Sequence, residues 1–310
     1  MQWLEQSEEL IEQYYSREGY PVGCLVQEEK EKIRTQLERR VKRISSYVEE
    51  KLIPPIYQAP LAVQMEITHR CNLQCVMCYN RSGRTPAAYE ELSDDEWMAQ
   101  ARRFADLGVC EVVISGGEPL LRPDLVFKLL DLCKEHGLSP HLITNGWLVN
   151  AEMAARLAEY EYGFIQVSID GQTPAIHDRI RQVRGSWDRA TRALQLLSSH
   201  GLFCRMASTV VKENYRHVAE TIDLAVLLGS KAIIFGRVLA QGRGCENSDD
   251  IAMDSKEAAE FYRLFHRERA SKSHYIVVNL GMETHQQIIE SHISPNRAII
   301  LRPNGDVRLG

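Results

Sequence analysis

The chain has 310 residues, 44% hydrophobic and 25% charged, which is enough apolar side chain for one large domain plus an accessory piece. A net charge of -5 lacks the basic excess of a general nucleic-acid binder, so no nucleic-acid partner is expected. No apolar run approaches the roughly 20 residues needed to cross a bilayer. The acidic start MQWLEQSEELIEQYY is no signal peptide, so no membrane partner and a cytoplasmic location are expected.

Residues 1–57 read as a helical N-terminal extension. Between Glu28 and Leu52 the apolar Ile33, Leu37, Val41, Ile44 and Val48 recur three or four apart, forming one helical stripe that Pro54 and Pro55 end. Residues 58–242 then alternate strand and helix. Segments rich in Val, Ile or Phe predict strands at 61–67, 111–115, 140–144, 163–170, 203–211 and 231–236. Helices are predicted at 94–107, 125–136, 151–160, 187–200 and 215–228, with Gly108, Gly137, Gly201 and Gly229 as C-caps. This rhythm implies an α/β fold: a parallel sheet whose right-handed crossovers curl it into a partial (β/α)6 TIM-type barrel, with the active site at the C-terminal strand ends. In the C-terminal extension, 243–310, the rhythm stops. It reads as a polar Gly-rich loop, a helix near 255–269, a strand at 275–280 and a β-hairpin at 298–309 turned by Pro303, Asn304 and Gly305.

Eight cysteines, three of them clustered, suit metal ligation in a reducing compartment better than a disulfide framework. In EITHRCNLQCVMCYN, Cys71, Cys75 and Cys78 are spaced C-x3-C-x2-C directly after the first strand. Three thiolates leave a four-iron cluster one open iron. A structural zinc wants four ligands, and His69, two residues before Cys71, fits the usual finger spacings poorly. Three buried structural cysteines are the remaining reading. The second strand ends in Ser115, Gly116, Gly117, Glu118 and Pro119, where the glycines let backbone approach a ligand and Glu118 can accept from an ammonium group. A plain strand-to-helix turn would use the same residues. Strands three and four end in Thr144-Asn145-Gly146 and Ser168-Ile169-Asp170-Gly171, both at the rim.

With the cysteine loop, the Gly116–Pro119 turn and the barrel rhythm together, the chain resembles the radical S-adenosylmethionine family. That resemblance implies a 4Fe-4S cluster on Cys71, Cys75 and Cys78, with S-adenosyl-L-methionine chelating the open iron through its amino and carboxylate groups. Reductive cleavage would then give methionine and a 5'-deoxyadenosyl radical that abstracts hydrogen from substrate. A low-potential electron donor of the flavodoxin or ferredoxin type is implied as partner. The implied cofactor contacts are Gly116, Gly117, Glu118 and Pro119 at the amino group, and Asn145, Ser168 and Asp170 at the rim. Arg181 joins them from HDRIRQVRGSW, which is similar to the family's HDxxRG segment with Gln182 in place of glycine. Met77 stands where an aromatic residue is usual and Tyr79 follows, both near the adenine. Cys110 and Cys133 read as small buried hydrophobes. Cys204 and Cys245 are the only catalytic candidates, as hydrogen donors to a product radical.

The run ILRPNGDV, 300–307, resembles the hairpin that opens a SPASM/twitch-type extension, a feature of members that act on peptides and bind additional clusters. The cysteine expected next does not follow, so either the sequence is cut short in mid-motif, the favoured reading, or the hairpin serves only as a barrel cap. An additional 4Fe-4S cluster is expected if the chain continues beyond Gly310. The resemblance favours a peptide or protein substrate, as in maturation of ribosomally made peptides. The alternatives are a small-molecule enzyme acting on a tetrapyrrole side chain or an antibiotic sugar or aminocyclitol, and a non-catalytic iron-sulfur binding protein.

Overall fold

The computed structural model describes residues 60–83, 87, 89–281 and 298–309. The expected helix at 28–52 and Cys24 lie outside these described residues. The first strand, β1 (Ala62–Glu66), is followed after the cysteine loop by α1 (Asp94–Asp106). Ser93 caps α1 in a reciprocal box with Glu96, and the helix buries Trp97, Ala101, Phe104 and Ala105. Then come β2 (Glu111–Ser115), α2 (Pro123–His136), β3 (Ser139–Thr144) and α3 (Ala151–Leu157). The segment read around His177 forms a helix, α4 (Pro174–Arg181), between β4 (Phe164–Ser168) and α5 (Ser186–Ser199). β5 (Cys204–Val210), α6 (Val218–Leu227) and β6 (Ala232–Arg237) bring the alternating strands to six. The four cap glycines take left-handed φ values of 83°, 67°, 74° and 79° at Gly108, Gly137, Gly201 and Gly229.

Beyond Gly242 the structure departs from the expected loop. Two short helices, α7 (Gly242–Glu246) and α8 (Ser248–Ile251), precede α9 (Ser255–Lys272), and β7 (Val277–Leu280) adds to β6 in parallel. At the opposite edge β8 (Ala298–Leu301) pairs parallel with β1, and β9 (Val307–Leu309) returns antiparallel. The sheet order is therefore β7-β6-β5-β4-β3-β2-β1-β8-β9, an unclosed barrel wall flanked by one strand on one side and a hairpin on the other.

Strand alternation sorts side chains between two layers. Val63, Met65, Ile114, Leu142, Ile165, Val167 and Met206 are fully buried against the helices with Trp97, Leu125, Leu129 and Leu157. Each such large side chain contributes about 1.5–3 kcal/mol by leaving water. The intervening residues Gln64, Gln166, Ser168, Arg205 and Thr209 are half-buried on the other face. The lumen is consequently polar.

Candidate active site

At the C-terminal strand ends lies a cavity of about 320 Å³, near the lower end of small-molecule sites, about 300–1,000 Å³. Its wall includes all three loop cysteines together with Met77, Tyr79, Gly116, Gly117, Asn145, Ser168 and Arg181. The loop is folded back so that donors converge on sulfur. Leu73 N lies 3.5 Å and Asn145 Nδ2 3.7 Å from Cys71 Sγ, while Arg181 Nη1 lies 3.5 Å from Cys75 Sγ. Burial pushes the Cys71 thiol up to about 12 and the Cys75 thiol up as well, so metal-free sulfurs here keep their protons. A coordinated metal removes such protons outright, and N–H groups aimed at sulfur are what a metal-bound thiolate uses. An all-sulfur donor set spread around a cavity fits a multi-iron cluster.

The Gly116-Gly117 wall follows from close backbone contact. Gly117 N donates to Thr68 O at 2.6 Å and Glu118 N to Arg70 O at 2.9 Å, so this turn runs against the exit of β1. A Cβ on Gly116, whose φ is 149°, would stand 2.6 Å from Thr68 O; one on Gly117 would overlap the Arg70 and His69 carbonyls. Only backbone fits, and the cavity wall there carries no side chain.

Three residues expected as contacts lie buried behind the cavity wall. Glu118 is 0% exposed and does not line the cavity; Leu120 N and Thr144 Oγ1 donate to its Oε1, at 3.1 and 2.8 Å, and Asn145 N to its Oε2, at 2.8 Å. Burial raises its carboxyl to about 7, against the pull of those donors. Pro119 opens a 3-10 turn, Pro119–Leu121, behind the wall. Asp170 is also 0% exposed: its Oδ1 accepts from Thr209 N at 2.8 Å and its Oδ2 from Arg181 Nε at 2.5 Å. Asp170 and Glu118 thus accept hydrogen bonds from Arg181, Thr209 and Asn145, which line the cavity.

Burial disfavours the Arg181 charge, but the Asp170 carboxylate outweighs it and holds the guanidinium protonated. Its helix is fixed by its neighbours. His177 Nδ1 accepts from Asp170 N at 3.0 Å, and Asp178 accepts from Gly185 N, Ser186 Oγ and Trp187 N at the start of α5. Gln182, in the place of the family's glycine, adopts the left-handed conformation (φ 59°) that glycine favours. Tyr79 donates to Glu66 Oε1 at 2.6 Å, and Asn80 Nδ2 to Glu66 Oε2 at 3.0 Å, which ties the loop's end back to β1.

Neither catalytic cysteine candidate reaches the cavity. Cys204 is 0% exposed and begins β5, at the end of the sheet away from the cysteine loop, and Cys245 is exposed on α7 outside the lining. Sequence reading missed Gln64, Gln166, Thr209 and Arg243, which do line it. The first three carried a signal, being polar residues at the lumen-facing positions of apolar strands. Arg243 carried little beyond its flanking glycines.

An unclosed parallel α/β barrel with a three-thiol cavity at its carboxyl end defines the class, a partial TIM-type barrel with its cysteine loop on the cavity wall. Residues 65–225 match the Radical SAM superfamily, and the chain belongs to that superfamily. Over 205 residues it is 33% identical to the mycofactocin maturase MftC of Mycolicibacterium smegmatis, covering 66% of this chain and 51% of MftC. Over 209 residues it is 33% identical to an AdoMet-dependent heme synthase of Methanosarcina barkeri, covering 67% of this chain and 57% of the synthase. The chain thus spans about half the length of the curated relatives it matches. Streptococcus suis SuiB, in its crystal structure bound to precursor peptide SuiA, shares the fold with a TM-score of 0.66 at 17% identity, covering 88% of this chain and 64% of SuiB.

Proposed function

We propose that Cys71, Cys75 and Cys78 ligate a 4Fe-4S cluster, that S-adenosylmethionine occupies the adjoining cavity, and that the protein modifies a peptide or protein substrate by radical chemistry. The observation that carries this is the joint placement of sulfur-directed donors, Asn145 and Arg181, and a side-chain-free glycine wall in one cavity. When bound, the pair supplies one-electron cleavage of the sulfonium and hydrogen abstraction from substrate.

The chain's own residues bind and orient. The Gly116-Gly117 backbone admits a ligand's polar end at close range. Arg181, held charged by Asp170, faces a carboxylate, and the half-buried Ser168 and Thr209 hydroxyls supply hydrogen bonds to a polar ligand. Met77 and Tyr79 give apolar surface that excludes water. A low-potential flavodoxin- or ferredoxin-type protein is the proposed electron donor.

The peptide reading is supported by MftC, named a maturase, and by the 300–307 hairpin, with a further cluster in any extension beyond it. A second reading, a tetrapyrrole side chain as substrate, is supported by the heme synthase at equal identity. Anaerobically reconstituted protein given dithionite and S-adenosylmethionine should form 5'-deoxyadenosine, and Cys75→Ala should abolish it. No product from cluster-loaded wild type contradicts the proposal. A mass change on a co-expressed short peptide, against one on an added tetrapyrrole, separates the two substrate readings.

A further inference from the structure

The short helix α7 after β6, together with Asn247, is bonded directly to the cysteine loop. Arg243 Nε donates to Cys75 O at 2.8 Å, Arg243 Nη2 to Ser82 O at 2.6 Å, and Arg243 N to Cys78 O at 2.9 Å. One turn on, Asn247 Nδ2 donates to Val76 O at 2.8 Å. Four carbonyls of the cysteine loop are therefore satisfied from a single stretch more than 160 positions away in sequence. The approach is too close for a side chain at its start, since a Cβ on Gly242 would overlap the carbonyls of Tyr79 and Cys78. The loop's other flank is held by α4, where Gln74 N and Val76 N donate to Arg181 O and Ile180 O at 3.2 and 3.0 Å.

We propose that Arg243 is a positioning residue for the cluster: its guanidinium fork locks the cysteine loop from the β6 side and sets how firmly the loop retains iron. The proposal rests on the reading of Cys71, Cys75 and Cys78 as ligands. A loop between two ligands has no regular ladder to hold it, so its carbonyls need donors from elsewhere. Arginine suits the task because one rigid planar group serves two carbonyls at once, whereas a lysine ammonium on a flexible stem cannot hold both in fixed geometry.

The test compares wild type, Arg243→Ala, Arg243→Lys and Asn247→Ala as full chains, each reconstituted anaerobically. It measures the rate of iron loss to a chelator by the decay of cluster absorbance, together with the thermal midpoint of each metal-free chain. Removing charge-assisted bonds of this kind predicts iron loss about tenfold faster or more in Arg243→Ala. Arg243→Lys should be intermediate and Asn247→Ala smaller in effect, with metal-free midpoints close to wild type in all. Equal chelation rates in Arg243→Ala and wild type overturn the proposal. So does a metal-free midpoint that falls in parallel with iron retention across the series, since Arg243 would then serve the fold in general. Failure of the ligand reading shows separately, as unchanged iron in Cys75→Ala.

Discussion

Replacing Asp170 with asparagine tests whether that residue braces the barrel or touches a ligand. Asn keeps an oxygen for Thr209 N but removes the charge facing Arg181, whose side chain is only 11% exposed. The guanidinium would be left with the Cys75 sulfur at 3.5 Å as its remaining partner, a buried cation without a counterion. Breaking one side of a buried pair costs about 3–5 kcal/mol. In a domain of this size that lowers the thermal midpoint by roughly 6–12 °C at the lower figure. Urea unfolding of the metal-free protein should show the loss as a lower midpoint concentration with an unchanged slope. If metal-free Asp170→Asn stays within about 1 kcal/mol of wild type, Asp170 does not brace Arg181, and the original expectation of a direct cofactor contact returns.

Two further outcomes follow from neighbouring groups. Burial, reinforced by the Arg181 charge, pushes the His177 imidazole down to about 4 from its ordinary 6.5. Between those values the unfolded chain binds the proton that the folded chain refuses, so stability is present above pH 6.5 and falls by up to about 3 kcal/mol as pH drops toward 4. Glu118 acts oppositely, because its raised carboxyl holds a proton in the fold up to about 7. The difference between wild type and His177→Gln in urea unfolding isolates the histidine, and equal pH slopes in the two would refute its neutral burial. At position 182 the left-handed backbone predicts that Gln182→Gly stays within about 0.5 kcal/mol of wild type, relief of strain offsetting added chain entropy and the lost Arg179 O bond. Gln182→Val should cost more than about 1 kcal/mol, and a tolerated valine would show that the backbone there is not constrained.

The barrel was legible because its signals are local. β2 occupies its predicted residues, and the strands predicted at 61–67 and 203–211 differ from β1 and β5 by one residue at each end. The pairing of β7 with β6 and of β8 with β1 was not legible, since edge pairing is decided by distant residues and leaves no periodicity of its own. α7 and α8 escaped notice because Gly242, Gly244 and Asn247 are poor helix formers and the helices are held by contacts to the cysteine loop. Ser168 and Asp170 share a parity and were expected to point the same way. β4 ends at Ser168, however, and beyond it the chain turns Asp170 inward toward Thr209 and Arg181. The distinction between a ligand-facing carboxylate and a bracing one lies in that turn. The placement of Cys204 was not legible for a simpler reason: as the first residue of its strand it lies at the end opposite the cavity, and strand periodicity does not tell one end from the other.

Electron paramagnetic resonance of the reconstituted, dithionite-reduced chain, recorded with and without S-adenosylmethionine, tests the central claim most directly. The three-cysteine cavity predicts a reduced four-iron signal that changes when S-adenosylmethionine is added and is absent in Cys75→Ala. A signal indifferent to S-adenosylmethionine, or one that survives loss of Cys75, would contradict it.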